Sequence, residues 1–326
     1  MPHMPVGALA PEAACSYSAT MVDSQHFTDA AADYSRLAPH LWDRIGADAV
    51  AAAGPQPGER VLDACSGIGS SALPAAAAVG ADGRVDAVDL AGGLLDALRQ
   101  RVSKRRLDQV RTHQADVLEF GQPGEYDLVQ CVLGIMFFPD FTAGSRQLVT
   151  RLRPGGRLML AVWDHGVMAD IGVRAFHSIQ RVRGEKLPDP AYAKSAREND
   201  EPDGADADAR ADDAGDTAAG ETDGDTAAGD KAGLSFDQID TQDAFGPWME
   251  GLGLADVNVT VQERNLELDD ELAWLVITGS GFRSMLSGMS DEQIEEVRSD
   301  FLAGLHRDGF TTLNTSTLVG IGRRPV

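Results

Sequence analysis

Val61-Leu62-Asp63-Ala64-Cys65-Ser66-Gly67-Ile68-Gly69-Ser70-Ser71-Ala72 restricts the fold of this chain more than any other stretch. An apolar run ends in an acid, passes through small residues with two glycines, and opens into the Ala-rich segment 70–79. The pattern predicts a buried strand, a tight loop and a helix N-terminus. Glycines let backbone approach a ligand closely, and the first N–H groups of a helix are free to meet it. Gly67-x-Gly69-x-x-Ala72 also fits the fingerprint of dinucleotide-binding folds. Asp63 separates the two possibilities. A carboxylate there repels a pyrophosphate and attracts a ligand that carries an ammonium group.

The segments that follow repeat the unit. Strands are expected at 84–89, 110–115, 126–133 and 157–163, with helices at 93–104 and 142–152. The segment 126–133 is apolar on both faces, as a buried parallel strand should be. Alternation of this kind predicts an α/β fold with a doubly wound sheet. Ligands of such sheets sit at the carboxyl ends of strands, where Asp63, Asp89, Asp116 and Cys131 fall. Upstream, Phe27, Ala31, Tyr34, Leu37, Leu41 and Ile45 recur at spacings of three and four and predict a helix over 27–45, with a second at 48–53. Downstream, helices are expected at 167–182, 241–253, 271–278 and 291–307, and late strands at 257–263 and 313–322. The resulting division is a disordered tail at 1–20, a Rossmann-like core with a helical cap at 21–187, an acidic low-complexity insertion at 188–234, and a part at 235–326 that completes the sheet and an acceptor pocket.

The formal charge of −23 argues against a nucleic-acid partner, which needs Lys and Arg to neutralise phosphates. Residues 196–230 hold thirteen acids against two arginines, and the hexapeptide Gly-Asp-Thr-Ala-Ala-Gly stands twice, at 215–220 and 224–229. Such a segment has too little apolar surface to offset chain entropy, so it reads as a disordered insertion between the fifth and sixth strands, with a mobile lid as one role. Cys15, Cys65 and Cys131 are odd in number and show neither a disulfide framework nor metal-ligand spacing. With no apolar run of membrane-spanning length and no leader pattern, a cytoplasmic protein is expected, monomer or homodimer.

Val61-Leu62-Asp63 with Gly67-x-Gly69 resembles the first motif of class I S-adenosylmethionine-dependent methyltransferases, whose sheet is seven-stranded. Met136-Phe137-Phe138-Pro139-Asp140 and the stretch from Trp274 through Arg283 resemble small-molecule members similar to the ubiquinone/menaquinone C-methyltransferase-like group. The resemblance implies S-adenosylmethionine as cofactor and S-adenosylhomocysteine as product. It implies that Asp89, with Leu90 beside it, holds both ribose hydroxyls, a task that suits a carboxylate because it accepts from two donors at once. By the same resemblance Asp116 accepts from the adenine amine and Val117 offers a backbone N–H. Cys65, Ser66, Gly67, Ile68 and Gly69 run beneath the methionine and ribose, and Cys131 and Val132 lie near the sulfonium. Leu152-Arg153-Pro154-Gly155-Gly156 matches the turn before the fifth strand. Val132-Leu133-Gly134-Ile135 stands where amino-directed enzymes carry an Asn/Asp-Pro-Pro-aromatic motif, a departure that disfavours a nucleic-acid or amide-nitrogen acceptor.

A general base is needed only where the acceptor must lose a proton. His165 after the fifth strand and Tyr34 and His40 on the N-terminal helices are the candidates. Phe137, Phe138, Trp163, Phe176 and Phe282 are candidates for an apolar acceptor pocket, and Arg283 for pairing with an acidic acceptor group. Two alternatives stay open at this point: a protein that binds S-adenosylmethionine for a non-methyl or regulatory role, and a nicotinamide-dependent oxidoreductase.

Overall fold

The computed structural model describes residues 24–185 and 236–326. The expected tail at 1–20 and insertion at 188–234 lie outside these residues. Before the sheet come α1 (Ser24–Asp29), α2 (Ala31–Leu37) and α3 (Trp42–Ala53). The sheet region contains β1 (Arg60–Ala64), α4 (Ala72–Val79), β2 (Arg84–Asp89), α5 (Gly92–Arg105), β3 (Val110–Gln114), β4 (Tyr126–Val132), α6 (Phe141–Arg151) and β5 (Leu152–Trp163). Then follow α7 (Ala169–Arg183), α8 (Gln242–Gly251), β6 (Ala255–Gln262), β7 (Asn265–Glu267), α9 (Asp270–Thr278), α10 (Asp291–Asp308), β8 (Thr312–Asn314) and β9 (Thr317–Arg323).

Seven strands form one sheet in the order β3-β2-β1-β4-β5-β9-β6. The first five are parallel, and β9 enters antiparallel between β5 and β6. The period of two divides each central strand between two apolar layers. Leu62 and Ala64 of β1 pack with Leu148 of α6 and with Phe245 and Met249 of α8. Val61 packs on the other side with Val50 of α3, Leu73 of α4, and Leu95 and Leu98 of α5. Burial on both faces explains why β1 and β4 read as continuous apolar runs. A third cluster joins Leu37, Leu41 and Ile45 to Ile171 of α7, Val276 of α9, Phe282 of the 3-10 turn Gly281–Leu286, and Phe301 of α10.

Three expectations need correction. The helix expected over 27–45 is broken into α1, α2 and the start of α3, and 48–53 continues α3. Ala30 ends one turn, and Leu41 leaves helical geometry at φ −128°. Pro39 lies in that second break and has no N–H to continue the ladder. The fifth strand begins at Leu152 and carries Pro154-Gly155-Gly156 within it: the register passes from Tyr126–Leu152 to Leu128–Arg157, so the extra residues bulge out of the pairing. The strand expected over 313–322 is two strands. β8 pairs with β7 as a separate small sheet, and the chain changes sheets at Thr315-Ser316 before β9.

Candidate cofactor and acceptor site

A cavity of about 410 Å3 opens at the carboxyl ends of β1, β2 and β4. The loop after β1 forms part of its wall through unusual backbone: Cys65, Gly67 and Gly69 have φ of 54°, 52° and 83°. Left-handed geometry at a non-glycine residue such as Cys65 costs energy and marks a site held by its surroundings. Those surroundings are visible. Ser66 N–H donates to the Val88 carbonyl at 3.0 Å and Gly69 N–H to the Ser66 carbonyl at 2.8 Å. Arg101 of α5 donates to the Ile68 carbonyl at 3.0 Å and to both oxygens of Asp43 at 2.6 Å, and Ser70 Oγ donates to the same Asp43 at 2.8 Å.

Asp89 ends β2 at the cavity wall. Its Oδ2 accepts from Gly67 N–H and its Oδ1 from Ala91 N–H, both at 2.8 Å. The carboxylate thus ties the glycine loop to the start of α5 and keeps further lone pairs for a ligand. Burial pushes its pKa up despite these two donors. Asp116 is exposed at the wall, and its Oδ1 accepts from Leu118 N–H at 2.9 Å, which fixes the turn after β3. Ser66 lines the cavity with its Oγ buried and without a partner among the described residues. A buried hydroxyl of this kind calls for a ligand or water. With Asp89 and the loop amides it fits the polar parts of S-adenosylmethionine, so the residues present suit that cofactor.

Cys65, Ile68, Leu90, Val117 and Val132 also line the cavity, as do Tyr34, Phe137, Phe138, Trp163 and Phe282. Other expected site residues are placed elsewhere. Asp63 is fully buried, accepting from Ser71 Oγ at 2.8 Å and Gln130 Nε2 at 3.0 Å; it is absent from the lining and supports the loop from beneath. Desolvation raises its pKa to about 7. Gly69 is also off the wall and packs against Leu98. Cys131 is buried beside Cys65 under Gly134. A hydrogen bond to Cys131 and burial push the Cys65 thiol pKa up, so it stays a neutral thiol, a poor nucleophile beside an alkylating ligand. His165 and His40 do not line the cavity, and His165 Nδ1 lies 3.0 Å from Asp240 Oδ1. Phe176 is in the α7 core, and Arg283 donates to Asp33 at 3.1 Å. Phe27, Trp42, Met136 and Met168 line the cavity although the sequence reading missed them as site residues. Phe27 was visible only as a member of the helical periodicity.

Residues 61–156 match a family model described as a methyltransferase domain. An uncharacterized protein of Mycobacterium tuberculosis is 38% identical over 132 residues, 40% of this chain and 47% of that protein. Aklanonic acid methyltransferase DauC of a Streptomyces species is 31% identical over 136 residues, 41% of this chain and 62% of that protein. The chain spans about half the length of the curated relatives it matches. Phosphoethanolamine N-methyltransferase 2 of Haemonchus contortus, solved with S-adenosyl-L-methionine, shares the fold. Its TM-score is 0.51 at 15% identity, over 97% of this chain and 62% of that one. Strand order, loop and family match agree on one likeness: residues 61–156 are similar to a methyltransferase domain, and they lie in a seven-stranded Rossmann-like sheet.

Proposed function

We propose that this chain transfers the methyl group of S-adenosylmethionine to a small-molecule acceptor. The observation that carries the reading is Asp89, a carboxylate at the cavity wall fixed by the amides of two loops. Asp89 accepts from the ribose hydroxyls, Asp116 and Val117 meet the adenine, and Ser66 with the loop amides meets the amino-acid end. The cofactor supplies a methyl sulfonium, which is already activated for displacement. The chain's contribution is alignment of the acceptor in line with the departing sulfur and exclusion of water. The methyl–sulfur bond breaks as the acceptor–methyl bond forms, the sulfur leaves as a neutral thioether, and any acceptor proton passes to a nearby base or to water. Tyr34, at the wall, is the candidate hydroxyl to relay that proton, accepting it as its own hydroxyl proton passes to water.

The reading includes a cytoplasmic setting without nucleic acid, supported by the free thiols of Cys65 and Cys131 and the charge of −23. Among the described residues no helix is long and apolar enough to cross a membrane. Calorimetric titration of S-adenosylmethionine and S-adenosylhomocysteine tests the proposal. Wild type should bind both, and Asp89→Ala should weaken both by about 100-fold, two hydrogen bonds to a charged group being worth roughly 3 kcal/mol together. Absence of binding to wild type refutes the proposal, and so does an unaffected Asp89→Ala.

A further inference from the structure

We infer that the acceptor is an uncharged, planar ring system, a deepening that rests on the methyl-transfer reading above. The cavity divides chemically. Its charged lining residues, Asp89 and Asp116, both sit at the ends of β2 and β3, on the cofactor side. A second part of the lining is aromatic and continuous. Phe137 meets Phe27 edge-on with ring centroids 5.2 Å apart, and Phe27 meets Tyr34 edge-on at 5.8 Å. Tyr34 stacks on Trp42 at 5.2 Å and 14°, and Trp42 leans on Trp163 at 6.2 Å and 55°. All five line the cavity. They come from α1, α2, α3, β5 and the 3-10 turn Ile135–Phe137, so the tertiary fold itself assembles this wall. Trp42 is further fixed by its indole N–H donating to the Gly279 carbonyl at 3.2 Å.

Three classes of acceptor are distinguished by this surface. An anion would lose its hydration with no cation facing it in the described lining, since Arg283 is bonded to Asp33. A cation can rest on aromatic faces when several converge on it. Here Tyr34 and Trp42 turn their faces to each other, which leaves a wall and no cage. A flat neutral ring gains both apolar burial and ring-to-ring contact along the wall, and a saturated ring of equal size gains only the first.

Four probes of similar size test this by calorimetric titration into the full chain: 2-naphthol, naphthalene-2-sulfonate, 2-naphthylmethylammonium and the saturated alcohol 2-decalol. Each is titrated with and without saturating S-adenosylhomocysteine. The expected result is 2-naphthol binding about tenfold more tightly than each of the others. Phe137→Leu and Trp163→Leu should each weaken 2-naphthol by about fivefold and change 2-decalol by less than about twofold. Thermal melts show which variant is folded, and the comparison of probes on wild type needs neither. Equal or tighter binding of the sulfonate, the ammonium or 2-decalol overturns the inference, as does an absence of 2-naphthol binding. S-adenosylhomocysteine affinity, read separately, decides the methyl-transfer reading: its absence refutes that reading, while the ring preference is still read from the titrations without it.

Discussion

Asp63 makes this protein's stability depend on pH in an unusual direction. Its side chain is fully buried, and burial raises its pKa from 3.8 to about 7, although Gln130 and Ser71 donate to it. Between those two values the native state keeps a proton that the unfolded chain has released. Stability contributed at this site therefore falls as pH rises through the window and levels off above about 7. At 1.36 kcal/mol per pKa unit, the ionised form costs on the order of 4 kcal/mol. Asp63→Asn removes that cost. Gln130 Oε1 is buried without a partner among the described residues, and the new amide supplies a donor within the same cluster. Urea unfolding of both proteins at pH 5 and pH 8 measures the effect, and the comparison isolates Asp63 from other carboxylates. The variant should gain on wild type by about 2–3 kcal/mol more at pH 8 than at pH 5. An equal gap at both pH values refutes the reasoning, because Asp63 would then be ionised in the native state at both.

Two further outcomes follow from the loop after β1. Arg101→Met removes the donor to Ile68 and Asp43 and should weaken S-adenosylhomocysteine binding about tenfold by calorimetry, with little loss of folded structure. Gly69→Ala places a methyl group onto Leu98 at a φ of +83°, and should cost about 2–3 kcal/mol in denaturant unfolding.

The central sheet was legible because each strand is a short apolar run between turn residues, and burial on both faces leaves little room for another reading. Asp89, Asp116 and the glycine loop were legible for a related reason: strand ends are fixed once the strands are. The aromatic wall was legible only in part: Phe137 and Trp163 read as pocket residues and Tyr34 as a site residue, whereas Phe27 and Trp42 did not. Tyr34 and Trp42 stand at helical spacing that reads equally as core, and their stacking depends on the break near Pro39. His165 looked like a base because it follows β5, yet Asp240, 75 residues further on, holds it. No local spacing carries that pairing. Asp63 was read as facing a ligand, whereas the alternation of β1 turns it inward toward Gln130 of β4. Sheet pleat decided the matter, and the loop after the strand obscured it.

The strand order carries a consequence for synthesis of the chain. Among the described residues β6 is bonded to the sheet only through β9, which is made more than fifty residues later and must slide in between β5 and β6. Until then β5 and β6 both present unpaired edges, and an open edge is a template for pairing with a neighbouring chain. At elongation rates of about 5–20 residues per second, the edge of β6 waits several seconds for β9 and that of β5 roughly three times as long. A charge placed on the open edge of β5 or β6 should therefore lower aggregation during expression.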